Sequence, residues 1–298
     1  MSGAPSTLLV LINRDSGLPG AAPVEHRLRE LFAAESLDAE LRVVERGEDI
    51  AELARAAVGR YAALVVAGGD GSLSAAAGAL AGTDMPLGIL PLGTFNHFAR
   101  DLGLPIDLER AIRVLAAGKR RRVDVGEVNG RVFVNNSSVG IYTDVVEDRD
   151  RQRRGTGRRK TVAAAIAGFR ALARYRRQRL TVSVGGQVWR KRTSLLFVGN
   201  NSYRLSFPNL SGRTRLDGGE LCLFAVTGHG WRLVRLMLRT LLGHADADAD
   251  FQRVEGIDGL TIDSDAPSLV VALDGEVATL ATPLTYRSRP TALTVIAP

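Results

Sequence analysis

The N-terminal part of the chain alternates continuous apolar runs with segments of helical periodicity, and this rhythm constrains the fold more than any other feature. Continuous apolar runs are typical of strands buried on both faces of a sheet, and intervening helices are typical of parallel connections. The predicted strands span residues 7–12, 39–45, 62–67 and 86–93, and the predicted helices span 22–36, 48–60, 73–81, 96–104 and 107–118. The pattern predicts a parallel, doubly wound α/β domain.

The rhythm changes after Asp124. Short segments of alternating polarity follow, joined by turns that include a predicted hairpin around Asn129 and Gly130, and such segments indicate an antiparallel sheet. Helical segments near 161–177 and 231–242 interrupt the strands. We therefore predict an α/β protein with a nucleotide-binding α/β domain over residues 1–123 and a β-rich, sandwich-like domain over residues 124–287, with residues 288–298 returning to the first domain.

Residues 64–80, LVVAGGDGSLSAAAGAL, join a predicted strand to a predicted helix through glycines and an aspartate. Glycines at such a junction let an anion approach the backbone N–H groups of the helix start. Two further turns, NRDSG at 13–17 and the one that opens PLGTFNHFARDLGLP at 91–105, carry hydroxyl and amide groups. All three follow apolar strands, so we expect them to meet at one edge of the sheet and to bind a nucleotide polyphosphate. No G-x-x-x-x-G-K-[ST] motif is present, which excludes a P-loop enzyme.

A carboxylate, that of Asp70, lies in the middle of this predicted anion site. It would repel phosphates unless a divalent cation stood between them. Mg²⁺ binds in this way, through one or two carboxylates together with phosphate oxygens and water. Asp70 therefore indicates a site for Mg²⁺ and a nucleotide rather than for phosphate alone.

Five motifs occur in order along nearly the whole chain: NRDSG, GGDGSLS, PLGTFNHFARDLGLP, VDVGEV and LDGE. Together they resemble the diacylglycerol kinase catalytic family, which includes bacterial lipid kinases and the sphingosine and ceramide kinases. Other enzymes with similar motifs fit less well. The chain lacks the P-x-T-I-D-N-D segment of phosphofructokinases and the GGDEF or GGEEF of diguanylate cyclases, and NAD kinases lack the PLGTFN turn.

The resemblance implies an ATP-dependent lipid kinase with its active site in a cleft between the two domains. Glu276 of LDGE would be the general base that accepts the proton of the lipid hydroxyl, and Asp274 would shape that turn. Asp70 would organise Mg²⁺, with Asp124 of VDVG in the same carboxylate network. The residues implied in contact with the nucleotide are Asn13, Ser16, Gly17, Gly68, Gly69, Gly71, Ser72, Thr94 and Asn96.

Two positions depart from the family pattern. His97 stands where many members carry an acidic residue, and we interpret it as a hydrogen-bonding substitute. Some bacterial members also bind a structural Mg²⁺ through a loop aspartate of the second domain. Gly218 falls at the corresponding place here, so that site would require Asp217 as its ligand.

Positive charge is concentrated in one segment. Residues 149–179 contain twelve Lys or Arg and one acidic residue, an excess of +11 in a chain whose net charge is +7. On a helix, Arg170, Arg174 and Arg177 would share one stripe and apolar residues another, which suits an anionic membrane surface as well as a solvated face. Aromatic residues do not interleave with the cations, so we expect no nucleic-acid partner.

Cys222 is the single cysteine, which rules out an intrachain disulfide, and its place in an apolar run predicts inert packing. No apolar run reaches the length of about 18 residues needed to span a bilayer, and the N-terminus has no basic region of a signal peptide. We expect a cytoplasmic protein that associates peripherally with the cytoplasmic face of the membrane.

Three functions remain open from the sequence. The first is a kinase that transfers the γ-phosphate of ATP to a hydroxyl of diacylglycerol, ceramide or a related lipid. The second is a non-catalytic, nucleotide-responsive protein at the membrane, and the third is a kinase of a soluble polyol or cofactor. The joint presence of Asp70, Asp124 and Glu276 favours the first.

Overall fold

A computed structural model describes residues 5–13, 21–45, 48–140, 178–193, 195–203, 212–213, 215–226 and 251–298. The chain divides into two compact units. The first comprises residues 1–125, 132–134 and 289–298, and the second comprises residues 126–131 and 135–288. The chain passes from one unit to the other next to Asp124, where the sequence pattern changes.

The first unit is built on a parallel sheet flanked by helices. Its helices are α1 (Ala21–Ala34), α2 (Ile50–Ala57), α3 (Asp70–Leu80), α4 (His97–Asp101) and α5 (Leu108–Ala117). Its strands are β1 (Leu8–Asn13), β2 (Ala39–Val44), β3 (Ala63–Gly68), β4 (Leu87–Pro91), and most of β5 (Arg120–Val128), of β6 (Arg131–Phe133) and of β16 (Leu284–Ile296). The parallel strands lie in the order β2-β1-β3-β4, with the end of β16 beside β4.

The core of the first unit lies where α1 and α5 pack on the sheet. Leu28 and Phe32 of α1 and Ile112 of α5 are buried against Val10 of β1 and Val65 of β3. Residues of β1 and β3 that alternate with these point to the other face, because side chains in a strand alternate. The predicted doubly wound α/β domain is confirmed.

The second unit contains two antiparallel sheets. Its strands are β7 (Asn136–Gly140), β8 (Gln178–Val184), β9 (Gln187–Thr193), β10 (Leu195–Asn200), β11 (Leu221–Val226), β12 (Phe251–Ile257), β13 (Gly259–Ser264), β14 (Ser268–Leu273) and β15 (Glu276–Ala281). One sheet has the order β12-β11-β10-β7-β14-β15. In the other, the start of β16 pairs with β13, β13 pairs with β8, and β8 pairs with β9.

A buried hydrogen bond joins the two sheets of the second unit. The Ser137 Oγ of β7 and the Tyr286 Oη of β16 lie 2.9 Å apart. Burial raises the pKa of the Tyr286 phenol well above its ordinary value, and the bond to Ser137 opposes this only in part. The second unit therefore has the antiparallel, sandwich-like character that the sequence predicts.

The predicted hairpin at Asn129 and Gly130 is confirmed, since both residues have the positive φ angles of a two-residue hairpin turn. The helices expected near 161–177 and 231–242 lie outside the described residues, as does all of the basic segment except Gln178 and Arg179. In the part of the chain that is described, no helix is long and apolar enough to cross a membrane.

Candidate active site

The turn at residues 68–72, the turn at residues 93–96 and the end of β1 meet at the carboxyl edge of the parallel sheet. Asn13, the last residue of β1, donates a hydrogen bond from Nδ2 to the Ser72 Oγ of α3 at 2.7 Å. A Cβ added to Gly69 would lie 3.4 Å from the Gly93 Cα, so the turns after β3 and β4 touch through their backbones. The predicted convergence is therefore observed for Asn13, the 68–72 turn and the 93–96 turn. Ser16 and Gly17 lie outside the described residues.

Helix α3 begins at Asp70, three residues earlier than the sequence predicts. Gly69 is its N-cap residue and forms no side-chain cap, whereas the side chains of Asp49 and Asp107 cap α2 and α5. Asp70, Gly71 and Ser72 are therefore the first turn of a helix and not a loop before it. An acidic residue in this turn is favourable because of the helix dipole, and the first-turn N–H groups have no partner within the helix.

The turn after β4 is closed by Asn96. Its Oδ1 accepts a hydrogen bond from Gly93 N at 3.0 Å, and its Nδ2 donates to Gly93 O at 2.8 Å. Asn96 is 2% exposed and has a positive φ of 50°. The side chain therefore shapes the turn, and its predicted contact with a nucleotide remains a prediction. Thr94 is exposed at the tip of the same turn.

His97 forms an aromatic contact with Phe95, two residues before it in the chain. The imidazole stacks on the Phe95 ring with centroids 5.5 Å apart and planes 5° from parallel. Phe95 is 48% exposed, and His97 is also exposed. Position 97 thus belongs to an exposed aromatic pair, and the hydrogen-bonding role that the sequence suggests for His97 remains a prediction.

The two carboxylates proposed for Mg²⁺ in the first unit are held by backbone N–H groups. Asp70 Oδ1 accepts from Phe98 N at 3.4 Å, its one hydrogen-bond donor among the described residues. Asp124 is 1% exposed, and its Oδ1 accepts from Thr291 N at 2.7 Å. Asp70 is half-buried and weakly bonded, so its carboxylate fits a ligand of a hydrated cation. No group of three or more His, Cys, Asp or Glu suited to a metal occurs in the described residues.

Asp217, the ligand that the second-unit metal site would require, is paired with an arginine. Asp217 Oδ1 accepts from the Arg215 Nε at 3.2 Å, and Arg215 also donates to the Asp217 carbonyl oxygen. The guanidinium of Arg215 thus lies next to the Asp217 carboxylate, where a metal ion would bind. A side chain at Gly218 would meet the Asn201 Oδ1 at 2.6 Å, and that oxygen already accepts from Gly218 N.

The LDGE motif forms a tight turn between β14 and β15. Asp274 and Gly275 both have positive φ angles, of 49° and 90°. Asp274 Oδ1 accepts from Asn135 N at 2.8 Å and from Asn136 N at 3.0 Å, so this carboxylate shapes the turn, as the sequence predicts. Glu276 follows as the first residue of β15 and is exposed.

Cys222 is fully buried in β11 and packs with Tyr203 and Phe224. Burial raises the pKa of its thiol to about 12, and hydrogen bonds from backbone groups offset this only in part. The thiol is therefore neutral at physiological pH and cannot act as a nucleophile, in agreement with the predicted packing role.

The raised pKa of Cys222 predicts an alkaline loss of stability. The native thiol stays protonated between its ordinary pKa of 9.0 and about 12, while the thiol of the unfolded chain ionises. The free energy of unfolding should accordingly be insensitive to this group below pH 9 and fall above it, by at most about 1.4 kcal/mol per pH unit. Urea unfolding at pH 8 and 10 measures this loss, and Cys222→Ala should lose less. An equal loss in both proteins would contradict the assignment.

Sequence reasoning missed several polar residues of the second unit. Asn135, Asn200 and Arg213 are buried and hydrogen-bonded to one another, as described below. Two asparagine pairs, at 135–136 and 200–201, each follow an apolar run, and this is the sequence feature that could indicate buried polar residues. Their partners are distant in sequence, so the pairs alone do not reveal the network.

Solved structures share this architecture of a parallel α/β unit and an antiparallel β unit in one chain. The crystal structure of a diacylglycerol kinase from Bacillus anthracis str. Sterne has a TM-score of 0.73 at 20% identity and covers 98% of this chain and 97% of its own. Yeast NADH kinase complexed with NADH has a TM-score of 0.59 at 11% identity, covering 100% of this chain and 84% of its own. These likenesses define the fold class.

Sequence comparison identifies the family. The diacylglycerol kinase catalytic domain matches residues 7–128, and the YegS C-terminal NAD kinase beta sandwich-like domain matches residues 137–297. A diacylglycerol kinase of Staphylococcus aureus (strain JH9) is 30% identical over 215 residues, which are 66% of this chain and 67% of that protein. The chain belongs to the diacylglycerol kinase catalytic family.

Proposed function

We propose that this protein is an ATP-dependent lipid kinase that transfers the γ-phosphate to a hydroxyl of diacylglycerol, ceramide or a related lipid. The observation that carries the proposal is the convergence of Asn13, the 68–72 turn and the 93–96 turn at the carboxyl edge of the sheet. In open α/β sheets this edge is where ligands bind. Family membership supplies the reaction class.

The nucleotide phosphates would bind at the start of α3. Its first-turn N–H groups have no side-chain cap among the described residues, so they are available to phosphate oxygens. The Asn13–Ser72 hydrogen bond orients the β1 end toward this turn, and Asn96 holds the Gly93 backbone against Gly69. Gly68, Gly71, Thr94, Ser16 and Gly17 complete the proposed nucleotide set.

The proposed ligands of Mg²⁺ are Asp70, with Asp124 in the same carboxylate network. Bound Mg²⁺ would neutralise the charge of the transferring phosphoryl group. The Asp124 carboxylate is oriented by Thr291 N, and the Asp70 carboxylate is placed by the helix that carries it. Asp217 is omitted from the set because Arg215 pairs with it.

Glu276 would accept the proton of the lipid hydroxyl. An alcohol is a weak nucleophile at neutral pH, and a carboxylate within hydrogen-bond reach removes its proton as the phosphoryl group transfers. Glu276 is exposed at the start of β15 on a turn that Asp274 fixes. The proposed nucleotide residues belong to the first unit and this proposed base belongs to the second.

The basic segment 149–179 is the proposed contact with an anionic membrane surface. A kinase that acts on a bilayer lipid must bind the membrane surface. The excess of +11 in this segment is the strongest concentration of positive charge in the sequence.

The test is a phosphorylation assay with labelled ATP, Mg²⁺ and vesicles that contain diacylglycerol or ceramide. We expect label in a phosphorylated lipid, identified by mass, and loss of the product when the metal is chelated. Vesicles that lack a hydroxyl lipid are the control, and glycerol and NAD are included as soluble acceptors. Label in a soluble acceptor alone, or ATP binding without any transfer, would overturn the proposal.

A further inference from the structure

Asn135 is the centre of a buried hydrogen-bond network in the second unit. It is 5% exposed and precedes β7. Its N–H donates to Asp274 Oδ1, and its carbonyl oxygen accepts from the Tyr203 Oη at 2.7 Å and from Asn200 N at 2.9 Å. Its side-chain Oδ1 accepts from the Arg213 Nη2 at 2.9 Å. One residue therefore connects Arg213 to the LDGE turn.

Arg213 is an unusual component of this network because it is a cation that is only 9% exposed. Its Nη1 donates to Asn200 O at 3.4 Å, and its guanidinium lies over the Tyr203 ring at 5.8 Å from the centroid. Removing a charge from water is costly, so a buried arginine must be held in a fixed orientation by its partners. A planar guanidinium fixes the groups that it contacts more rigidly than a lysine ammonium does.

The ring of Tyr203 is placed by a glycine. A Cβ on Gly199 would lie 2.6 Å from two ring atoms of Tyr203, so the ring packs directly on the β10 backbone. In this position the hydroxyl reaches the Asn135 carbonyl oxygen. Arg213 and Tyr203 thus hold the Asn135 side chain and carbonyl oxygen on one side, while Asp274 binds its N–H.

The bonds at the other end of the network determine where the LDGE turn lies. Asp274 Oδ1 accepts from Asn135 N and Asn136 N, and Asp274 N donates to Asn136 O at 2.9 Å. These three bonds join the turn to the 135–136 backbone. A rotation of that backbone would move the turn and the first residue of β15, Glu276.

We propose that Arg213 is a positioning residue for the 274–276 turn and acts through Asn135. It locks the Asn135 amide side chain, which directs the backbone N–H groups of residues 135 and 136 at the Asp274 carboxylate. The inference rests on the proposed role of Glu276 as general base. Loss of Arg213 would displace this base without reaching the nucleotide residues of the first unit.

Arg213→Met should therefore lower kcat with little change in the KM for ATP. A displacement of a reacting group by about 1 Å lowers the reaction rate by up to about 100-fold. We therefore expect kcat to fall by about 10- to 100-fold. Arg213→Lys should recover part of the rate because it keeps a charged donor. Asn135→Ala removes the acceptor of the same bond, so it should lower kcat similarly, and the double variant should be no worse than either single variant.

Arg253→Met is the matched control. Arg253 donates to the Tyr203 carbonyl oxygen at 3.2 Å and lies over the Phe224 ring, but it has no bond to Asn135 in the described structure. Its removal deletes a neighbouring cation that stacks on an aromatic ring in the same region. We expect kcat to stay at the wild-type level.

Amide hydrogen exchange of residues 273–277 tests the positioning itself, independently of any activity. Exchange should accelerate in Arg213→Met and Asn135→Ala and not in Arg253→Met. If Arg213→Met does not fold, Asn135→Ala and Arg213→Lys carry the same comparison. A wild-type protein that phosphorylates no lipid overturns the kinase proposal, while exchange still decides whether Arg213 fixes the turn.

Two results would overturn the inference about Arg213. One is a folded Arg213→Met protein with wild-type kcat and wild-type exchange at 273–277. The other is an Arg213→Met effect on kcat that persists undiminished when Glu276 is already Gln, because the arginine would then act by a route that does not involve this base.

Discussion

Glu276→Gln is expected to lower kcat for lipid phosphorylation by about 10²- to 10⁴-fold, the range typical of a general base, while ATP binding stays intact. Glutamine keeps the size of the side chain but cannot accept the hydroxyl proton. The hydrogen bonds of Asp274 that hold the turn are retained in this variant, so we expect the fold to be unaffected. Initial rates at saturating ATP and lipid, together with ATP affinity by calorimetry, measure the two effects.

Glu255→Gln is the control for this change. Glu255 lies on β12 of the same unit and pairs with Arg253, outside the proposed site. Its substitution removes one carboxylate and should leave kcat unchanged. Lipid phosphorylation by Glu276→Gln at the wild-type rate would show that another group is the base.

Gly93→Ala is expected to weaken ATP binding by about tenfold or more. A Cβ at this position would lie 2.6 Å from the Gly69 Cα and 2.7 Å from the Asn96 Oδ1. The first contact is with backbone and cannot be relieved by a side-chain rotation, so the turns after β3 and β4 must separate. Overpacking of this kind costs about 1–3 kcal/mol, and here it displaces the start of α3. Calorimetric titration with ATP and Mg²⁺ measures the affinity.

Gly78→Ala separates this effect from a general cost of replacing glycine. Gly78 lies in α3, and its added Cβ would be 3.7 Å from Val132, an ordinary contact. Alanine favours a helix by about 0.5–1 kcal/mol over glycine, so stability should rise slightly and ATP affinity should not change. If Gly93→Ala bound ATP as tightly as Gly78→Ala, the packing of the two turns would have no part in nucleotide binding.

Helix α3 illustrates where sequence reasoning is reliable and where it fails. Its existence follows from the strand, glycine turn and small residues, because these are properties of neighbouring positions. Its start at Asp70 instead of near residue 73 depends on the extended conformation of Gly69, which a sequence pattern does not fix. In the same way, the sequence does not show that the Asn96 side chain bonds to the backbone of its own turn.

The loop at Asp217 shows the corresponding limit for a metal site. Its aspartate is compatible with a cation in sequence, and only the contact with Arg215 shows that a guanidinium lies beside it. A side chain's charge can be read from the sequence, but its partner cannot.

Residue patterns alone predict the α/β and β-rich character of the two parts, the three turns that carry polar groups, and the order of motifs that marks the family. These features are encoded by residues a few positions apart, where periodicity and turn preferences act. The hydrogen bond from Thr291 N to Asp124, and the network of Arg213, Asn135 and Asp274, are visible only in the folded chain. Such bonds join residues far apart along the chain, and their formation depends on how the strands pair.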